Sequence, residues 1–252
     1  MTNPPTVTAC VLIIGNEILS GRTQDTNLNH MATTLGGWGI QVREARVIPD
    51  IEAEIVASVN GMRRKYDYVF TTGGIGPTHD DITAASVAKA FGVPLVTNPV
   101  IEARIKSREA PPEVMASRLR MALIPEGAVL VDNITGGPQG FAIENVYVMA
   151  GIPAVMRAML ATLEGKLDAG LPVRSRTVTA YVGESTIAAA LTRIQDEFPD
   201  VDLGSYPFFR ADRYGTSLVM RGVDERHLDL ALEAVKQAIV DAGETPQDVK
   251  YS

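Results

Sequence analysis

Three times before Gly92 the chain carries an apolar run into a glycine or an acid and then into a stretch with helical periodicity, and this alternation limits the fold more than any other feature. Val7 to Ile14 reads as a buried strand closed by Gly15. A loop runs to Asp25, and Thr26 to Leu35 then places Leu28, Met31, Ala32 and Leu35 at helical spacing before Gly36 and Gly37. Ile40 to Val47 reads as a second strand, with Asp50 placed to cap a helix whose apolar face is Ile51, Ile55, Val59 and Met62. Tyr68 to Thr72 is a third strand. It enters Gly73-Gly74-Ile75-Gly76-Pro77-Thr78-His79-Asp80-Asp81, after which Thr83 to Phe91 is helical and Gly92 stops it. Strands joined by helices lie parallel, so this half is expected to be an α/β domain with helices on the faces of a mostly parallel sheet.

The middle is less regular. Pro99 to Ser107 and Glu113 to Leu123 read as helices on either side of Ala110-Pro111-Pro112. Short strands at Ala128 to Val131, Phe141 to Ile143 and Val146 to Met149 flank Thr135-Gly136-Gly137-Pro138-Gln139-Gly140, and Pro153 to Leu167 reads as a helix. Asp168 to Arg174, with its glycine and proline, is the expected boundary, giving domains 1–170 and 171–252. Beyond it come a strand (Arg176 to Tyr181), a helix (Ser185 to Phe198), two strands (Val201 to Tyr206 and Thr216 to Arg221) and a helix (Glu225 to Ala242), a small α+β module. The last ten residues are expected to fray.

Composition removes several classes of function. The 252 residues are 46% hydrophobic, enough for a substantial core, yet runs such as Ala9 to Ile14 are far shorter than the roughly 20 residues of a membrane span. Met1 to Pro5 has no basic or apolar leader pattern, and a single Cys10 forms no internal disulfide, so the cytoplasm is the expected compartment. Thirty acids against twenty-three bases give a net charge of −7, which argues against general affinity for nucleic acid.

In open parallel sheets ligands bind beyond the carboxyl ends of the strands. Gly73, Gly74 and Gly76 lack Cβ atoms, so backbone N–H groups there can approach an anion, and the following helix offers its positive end. Glu17, Asp25, Asp50, Asp80 and Asp81 fall in the same three loops and would repel a bare phosphate. A divalent cation (Mg, Mn or Co) held by these acids would resolve the conflict, although any one acid taken alone is more often a cap or a solvated charge. No G-x-x-x-x-G-K-[ST] occurs, the glycines do not fit G-x-G-x-x-G, and one Cys with three scattered His gives no zinc spacing.

Gly15-Asn16-Glu17 to Gly21, Asp25-Thr26-Asn27, Thr71 to Thr78 and Asp80-Asp81 together resemble the molybdopterin-binding (MoaB/Mog-like) domain in its CinA type, as do Gly136 to Phe141 and Gly151-Ile152-Pro153 further on. Val182 to Ser185 and Gly204 to Pro207 resemble the small middle domain of CinA proteins, a KH-like module. The resemblance implies a three-layer α/β/α sandwich that handles a pterin or an adenine dinucleotide. Its CinA branch implies a metal-dependent pyrophosphatase acting on ADP-ribose; its Mog branch implies adenylylation of molybdopterin. A non-catalytic nucleotide or pterin binder is the third reading.

By resemblance Asp81 and Asp50 match acids of the Mog branch, and Asn16 and Glu17 match the family's G-[DN]-E element; with the other acids of the crevice in support, catalysis is expected of Asp81, Asp50 and Asp80, and a metal on Glu17, Asp25, Asp50 and Asp81. The ligand and its phosphates are expected at Gly15, Asn16, Asn27, Gly73, Gly74, Gly76, Thr78, Thr83, Gly137 and Gly140. Asn16 stands where many relatives carry an acid, and Ala150 where they carry a proline. With no amidase domain after the small module, deamidase activity is not expected. Between Arg174 and Ser252 there is no G-x-x-G loop, and 13 acids outnumber 9 bases, so RNA is not expected as a partner. A homo-oligomer, dimer or trimer, is.

Overall fold

In a computed structural model, which describes residues 6–210 and 212–251, the alternating apolar segments assemble into a parallel sheet. Residues 1–5, on which the reading of a missing leader rests, lie outside the described residues. The chain divides into two compact units at Gly170/Leu171. The first contains β1 (Val7–Ile14), α1 (Asn16–Leu19), α2 (Asn27–Gly37), β2 (Ile40–Ile48), α3 (Glu52–Met62), β3 (Tyr68–Thr72), α4 (Thr83–Phe91), β4 (Leu95–Thr97), α5 (Pro99–Lys106), α6 (Pro112–Leu119), β5 (Leu123–Pro125), β6 (Val129–Val131), β7 (Gly140–Ile143), β8 (Val146–Met149) and α7 (Pro153–Ala161).

Six strands form the main sheet in the order β2-β1-β3-β8-β7-β6. The first four are parallel, and β7 runs antiparallel to both of its neighbours. Because β1 lies between β2 and β3, the chain turns one way out of β1 and the other way into β3, and this reversal opens a crevice at their carboxyl ends. The ends are nearly level: Ile14 pairs with Ile48, Ile13 with Thr72, and Thr72 with Met149.

Side chains alternate across a strand, and β1 supplies both halves of the core. Ala9, Val11 and Ile13 pack with Met31 and Leu35 of α2 and with Met156, Met159 and Leu160 of α7. Cys10, Leu12 and Ile14 face Ile55, Val59 and Met62 of α3, Val87 of α4 and Ile101 of α5. Three layers result, with β1 buried between them from Ala9 to Ile14.

Cys10 is fully buried, and burial, with the nearby Glu44 adding to it, raises its thiol from 9.0 to about 11. The folded protein therefore keeps a proton that the unfolded chain releases, so stability should fall as pH rises from 9 through 11. A thiol reagent at pH 8 should find no reactive cysteine until the chain is unfolded; rapid labelling of the native protein would contradict this placement of β1.

Several elements differ from the sequence expectation. Residues 16–19 form a short helical turn instead of loop. Asp50 does not cap α3, whose N-cap residue is Ile51, because its carboxylate is taken by the Asn16 amide. β4 and β5 form an unforeseen two-stranded sheet, and the helix expected from 153 to 167 ends at Ala161 in a series of turns.

The second unit comprises β9 (Arg174–Ala180), α8 (Glu184–Glu197), β10 (Asp202–Arg210), β11 (Arg213–Gly222), α9 (Glu225–Asp241) and β12 (Gln247–Tyr251). Its antiparallel sheet, ordered β10-β11-β9-β12, packs Val178, Ala180, Leu218 and Met220 against Ile187 and Ile194 of α8 and Leu228, Leu232 and Val235 of α9. Asp224 caps α9 by accepting from the amides of Arg226 and His227. Of the last ten residues, expected to fray, Gln247, Lys250 and Tyr251 instead pair with β9, and the Tyr251 ring lies 4.8 Å from the Arg176 guanidinium; Ser252 lies outside the described residues. Among the described residues no helix is long and apolar enough to cross a membrane.

Candidate functional site

Asn27, at the start of α2, ties the strand ends together. Its Nδ2 donates to Thr72 Oγ1 (2.9 Å) and to the carbonyl of Gly151 (2.8 Å), while Thr72 donates in turn to the Ala150 carbonyl (2.9 Å). One buried amide thus joins the loops that follow β1, β3 and β8. Its Oδ1 is buried without a partner among the described residues. Glu17, Asp25, Asn27, Thr72 and Gly151 line a small hollow of about 50 Å³ at this junction.

The glycines after β3 are required by close approaches. A Cβ on Gly73 would stand 2.1 Å from the Ile14 carbonyl oxygen, and Gly73 donates to the Met149 carbonyl (3.1 Å), continuing the ladder past the end of β3. A Cβ on Gly74 would stand 2.1 Å from Thr83 Oγ1. Both glycines have positive φ, 108° and 68°. The buried Thr83 fastens the start of α4 beneath them, its hydroxyl donating to the Gly73 carbonyl and its amide to that of Gly74 (both 3.0 Å).

The loop is then pinned by Asp81. Its carboxylate accepts from the Gly76 amide (2.6 Å), the Thr78 amide (2.8 Å) and the Thr78 hydroxyl (2.6 Å). That hydroxyl also lies 2.6 Å from Asp80, and this contact, followed by the Asp80 amide and then by His79, holds the Asp80 carboxyl below its ordinary range. With Gly76 and Thr78 so engaged, the amides of Gly74 and Ile75 have no acceptor among the described residues. They are half-buried and sit at the N-terminal end of α4. Gly74, Gly76, Asp81, Arg120 and Gln139 line a second small hollow, of about 30 Å³.

The expected single cage of acids is not assembled. No group of three His, Cys, Asp or Glu among the described residues is gathered to hold a metal ion. The reason is local: loop N–H groups need acceptors, and the acids supply them. Asp50 accepts from the Asn16 amide (2.8 Å), and Asp25 from the amides of Asn27 (3.3 Å) and Leu28 (3.0 Å) at the start of α2. Asp81 serves its own loop, and Asp80 is exposed. Of the five acids, Glu17 alone keeps both carboxylate oxygens without a hydrogen-bond donor among the described residues, and it lies folded over Gly15. These residues do not fit a metal held by the protein alone.

The remaining expected residues separate by environment. Gly15, Gly73, Gly74, Gly76 and Thr78 lie in the loops at the crevice, and Asn16, Asn27 and Thr83 are the first residues of α1, α2 and α4 there. Gly140 belongs to β7, where a Cβ would stand 2.6 Å from the Val148 carbonyl oxygen, so strand packing accounts for it. Gly137 lies in the exposed loop before β7. Arg120 and Gln139 are not among the expected site residues: Gln139 lies in the Gly136 to Phe141 segment that carries the resemblance, which was the available signal, whereas nothing in the local pattern of Arg120 ties it to the loop after β3.

A family model described as a probable molybdopterin binding domain matches residues 10–168, and a model of the FAD synthase middle domain matches residues 172–247. A CinA-like protein of Desulfosudis oleivorans is 34% identical over 207 residues, which cover 77% of this chain and 50% of that protein. A probable FAD synthase of Caenorhabditis elegans is 28% identical over 265 residues, covering 94% of this chain and again 50% of the relative. The chain thus spans about half the length of these two curated relatives. Among solved structures, the CinA protein of Thermoplasma acidophilum, described as of unknown function, superposes with a TM-score of 0.59 at 33% identity, covering 64% of this chain and 99% of that one. The second unit, which resembles a CinA middle domain by its motifs, is similar to the FAD synthase middle domain.

Proposed function

The chain belongs to the molybdopterin-binding (MoaB/Mog-like) domain family, and from that premise we propose that its crevice binds the phosphate of a small nucleotide or pterin. The observation that supports this reading is the pair of consecutive unpaired N–H groups at Gly74 and Ile75, beside the positive end of α4. Successive amides around a left-handed residue form a concavity suited to an anion, and a helix N-terminus strengthens it. Two charge-assisted hydrogen bonds and a helix end amount to about 4 kcal/mol, or millimolar affinity for phosphate alone. The base or the pterin ring must supply the rest.

Within this reading the catalytic form is cleavage of a phosphoanhydride such as that of ADP-ribose. The amides and α4 would hold the phosphate and meet developing charge on its oxygens. Glu17, the acid with no donor on its carboxylate, would accept the proton of an attacking water. Adenylyl transfer to molybdopterin uses the same amides, and so does simple binding without turnover.

Calorimetric titration with AMP and with adenosine tests the phosphate reading. AMP should bind at least tenfold more tightly; equal binding of adenosine would overturn the role of the amides. Incubation with ADP-ribose, with and without Mg, Mn or Co, then separates the forms. Release of AMP supports the hydrolase, MgATP-dependent adenylylated pterin supports the transferase, and saturable binding without either product supports a non-catalytic binder.

A further inference from the structure

Both helices of the second unit pack on one face of its sheet, against Val178, Ala180, Leu218 and Met220. Side chains alternate along a strand, so Tyr206, Phe208 and Arg210 of β10 lie on the opposite face, which neither helix covers, and register places Arg213 and Arg221 of β11 and Lys250 of β12 there too. The excess of acids in this segment averages two unlike surfaces. Seven of its thirteen acids lie on α8 and α9. On the other face Asp202 stands opposite Arg221 and Glu244 is bonded to Arg213 (3.1 Å), while Arg210, Arg221 and Lys250 have no ion pair among the described residues. That face is basic.

Its rings are seated on glycine. A Cβ on Gly204 would stand 3.0 Å from Tyr206 Cε2 and Oη, and one on Gly215 would stand 2.7 Å from Phe208 Cε2, so each ring lies over bare backbone. Tyr206 remains 57% exposed. The Arg210 guanidinium lies 4.8 Å from the centre of Phe208 and that of Arg213 4.5 Å from Tyr181, whose ring meets Phe208 edge-on at 5.8 Å. Rings two residues apart on one strand, with guanidinium groups stacked beside them, suit the bases and phosphates of an unpaired strand. Addition of a protein strand to the free edge of β10 is disfavoured. The Leu203 amide turns outward to Gln195 (3.1 Å), so alternation turns Pro207 outward as well, where it offers no N–H.

We propose that this face of the second unit binds single-stranded nucleic acid, with a base stacked on Tyr206 and phosphates on Arg210 and Arg221. Stacking needs only the face of a base, so binding is expected without strong sequence preference and with a marked dependence on salt. The surface belongs to the other unit from the crevice and does not rest on the function proposed there.

Fluorescence anisotropy on the full chain tests this, with labelled oligo(U) and oligo(dT) dodecamers as single strands and a duplex of the same length as control. Both single strands should bind, less tightly as salt is added, and the duplex at least tenfold more weakly. Tyr206→Ala and Arg210→Gln should each weaken binding at least fivefold; both side chains are exposed, so melting temperature should be unchanged. Tyr214→Ala removes a more exposed ring (76%) from the other side of the same hairpin, beside Phe209, and should bind as the wild type does. Asp81→Ala should do so too, which separates this surface from the crevice. No binding of either single strand, equal binding of the duplex, unchanged binding by Tyr206→Ala, or an equal loss with Tyr214→Ala or Asp81→Ala overturns the proposal. So does displacement by polyglutamate as readily as by unlabelled oligo(U), which would make an acidic protein segment the partner.

Discussion

Gly73→Ala is expected to be among the most destabilising single substitutions in the first unit. The added methyl would stand 2.1 Å from the Ile14 carbonyl oxygen, at a residue with φ of 108°. Neither partner can give way, since β1 is hydrogen-bonded on both sides, to β2 and to β3, and the Gly151 backbone closes in from the β8 side. Strain of this kind, added to displacement of a central strand, costs about 3–5 kcal/mol, a large share of a typical domain's stability. The midpoint of thermal unfolding should fall by about 10 °C. Gly21→Ala is the control: it also has positive φ, at 70°, but nothing lies within 4 Å of its Cβ, so about 1 kcal/mol is expected. Equal losses in the two variants would mean that β1 yields where the structure has it fixed.

Asp81→Ala should reduce AMP binding at least tenfold, and by the same factor in EDTA as in Mg. Two opposing effects decide the sign. Removing a carboxylate near a phosphate relieves repulsion, about 1 kcal/mol at a solvent-exposed site. Removing it also frees the Gly76 and Thr78 amides and the Thr78 hydroxyl, which it holds at 2.6–2.8 Å. Charge-assisted bonds of this type contribute about 1.5–3 kcal/mol each, so loss of loop order outweighs loss of repulsion. The independence from metal separates this role from that of a metal ligand, whose removal would be felt only when the cation is present. Full affinity in the variant, or a defect confined to the Mg titration, would show that Asp81 does not act by fixing the loop.

Much of the scaffold was legible because its signals are local. The bounds of α4 agree with the reading from sequence, since Thr83 opens the apolar period and Gly92, at φ 68°, closes it. The strands β1, β3 and β8 announced themselves as apolar runs ended by glycine or alanine. β12 did not, because Gln247 to Tyr251 carries no alternating pattern and becomes a strand only through the free edge of β9. Short β4 and β5 were hidden for a similar reason: each exists by pairing with the other.

The candidate site divides along the same line. The sequence alone showed that glycines and acids fall in the loops after three successive strands; that these loops adjoin follows from the strand order, which the structure supplies. Only the tertiary structure decided what the acids do there. Asp50 reaches an amide 34 residues away at Asn16, Asp25 and Asp81 turn to amides of their own loops, and Glu17 is left over. Whether a carboxylate becomes a metal ligand or an acceptor for the backbone depends on which unpaired N–H groups stand within reach of it. That competition is settled by three-dimensional geometry, which residue spacing does not encode.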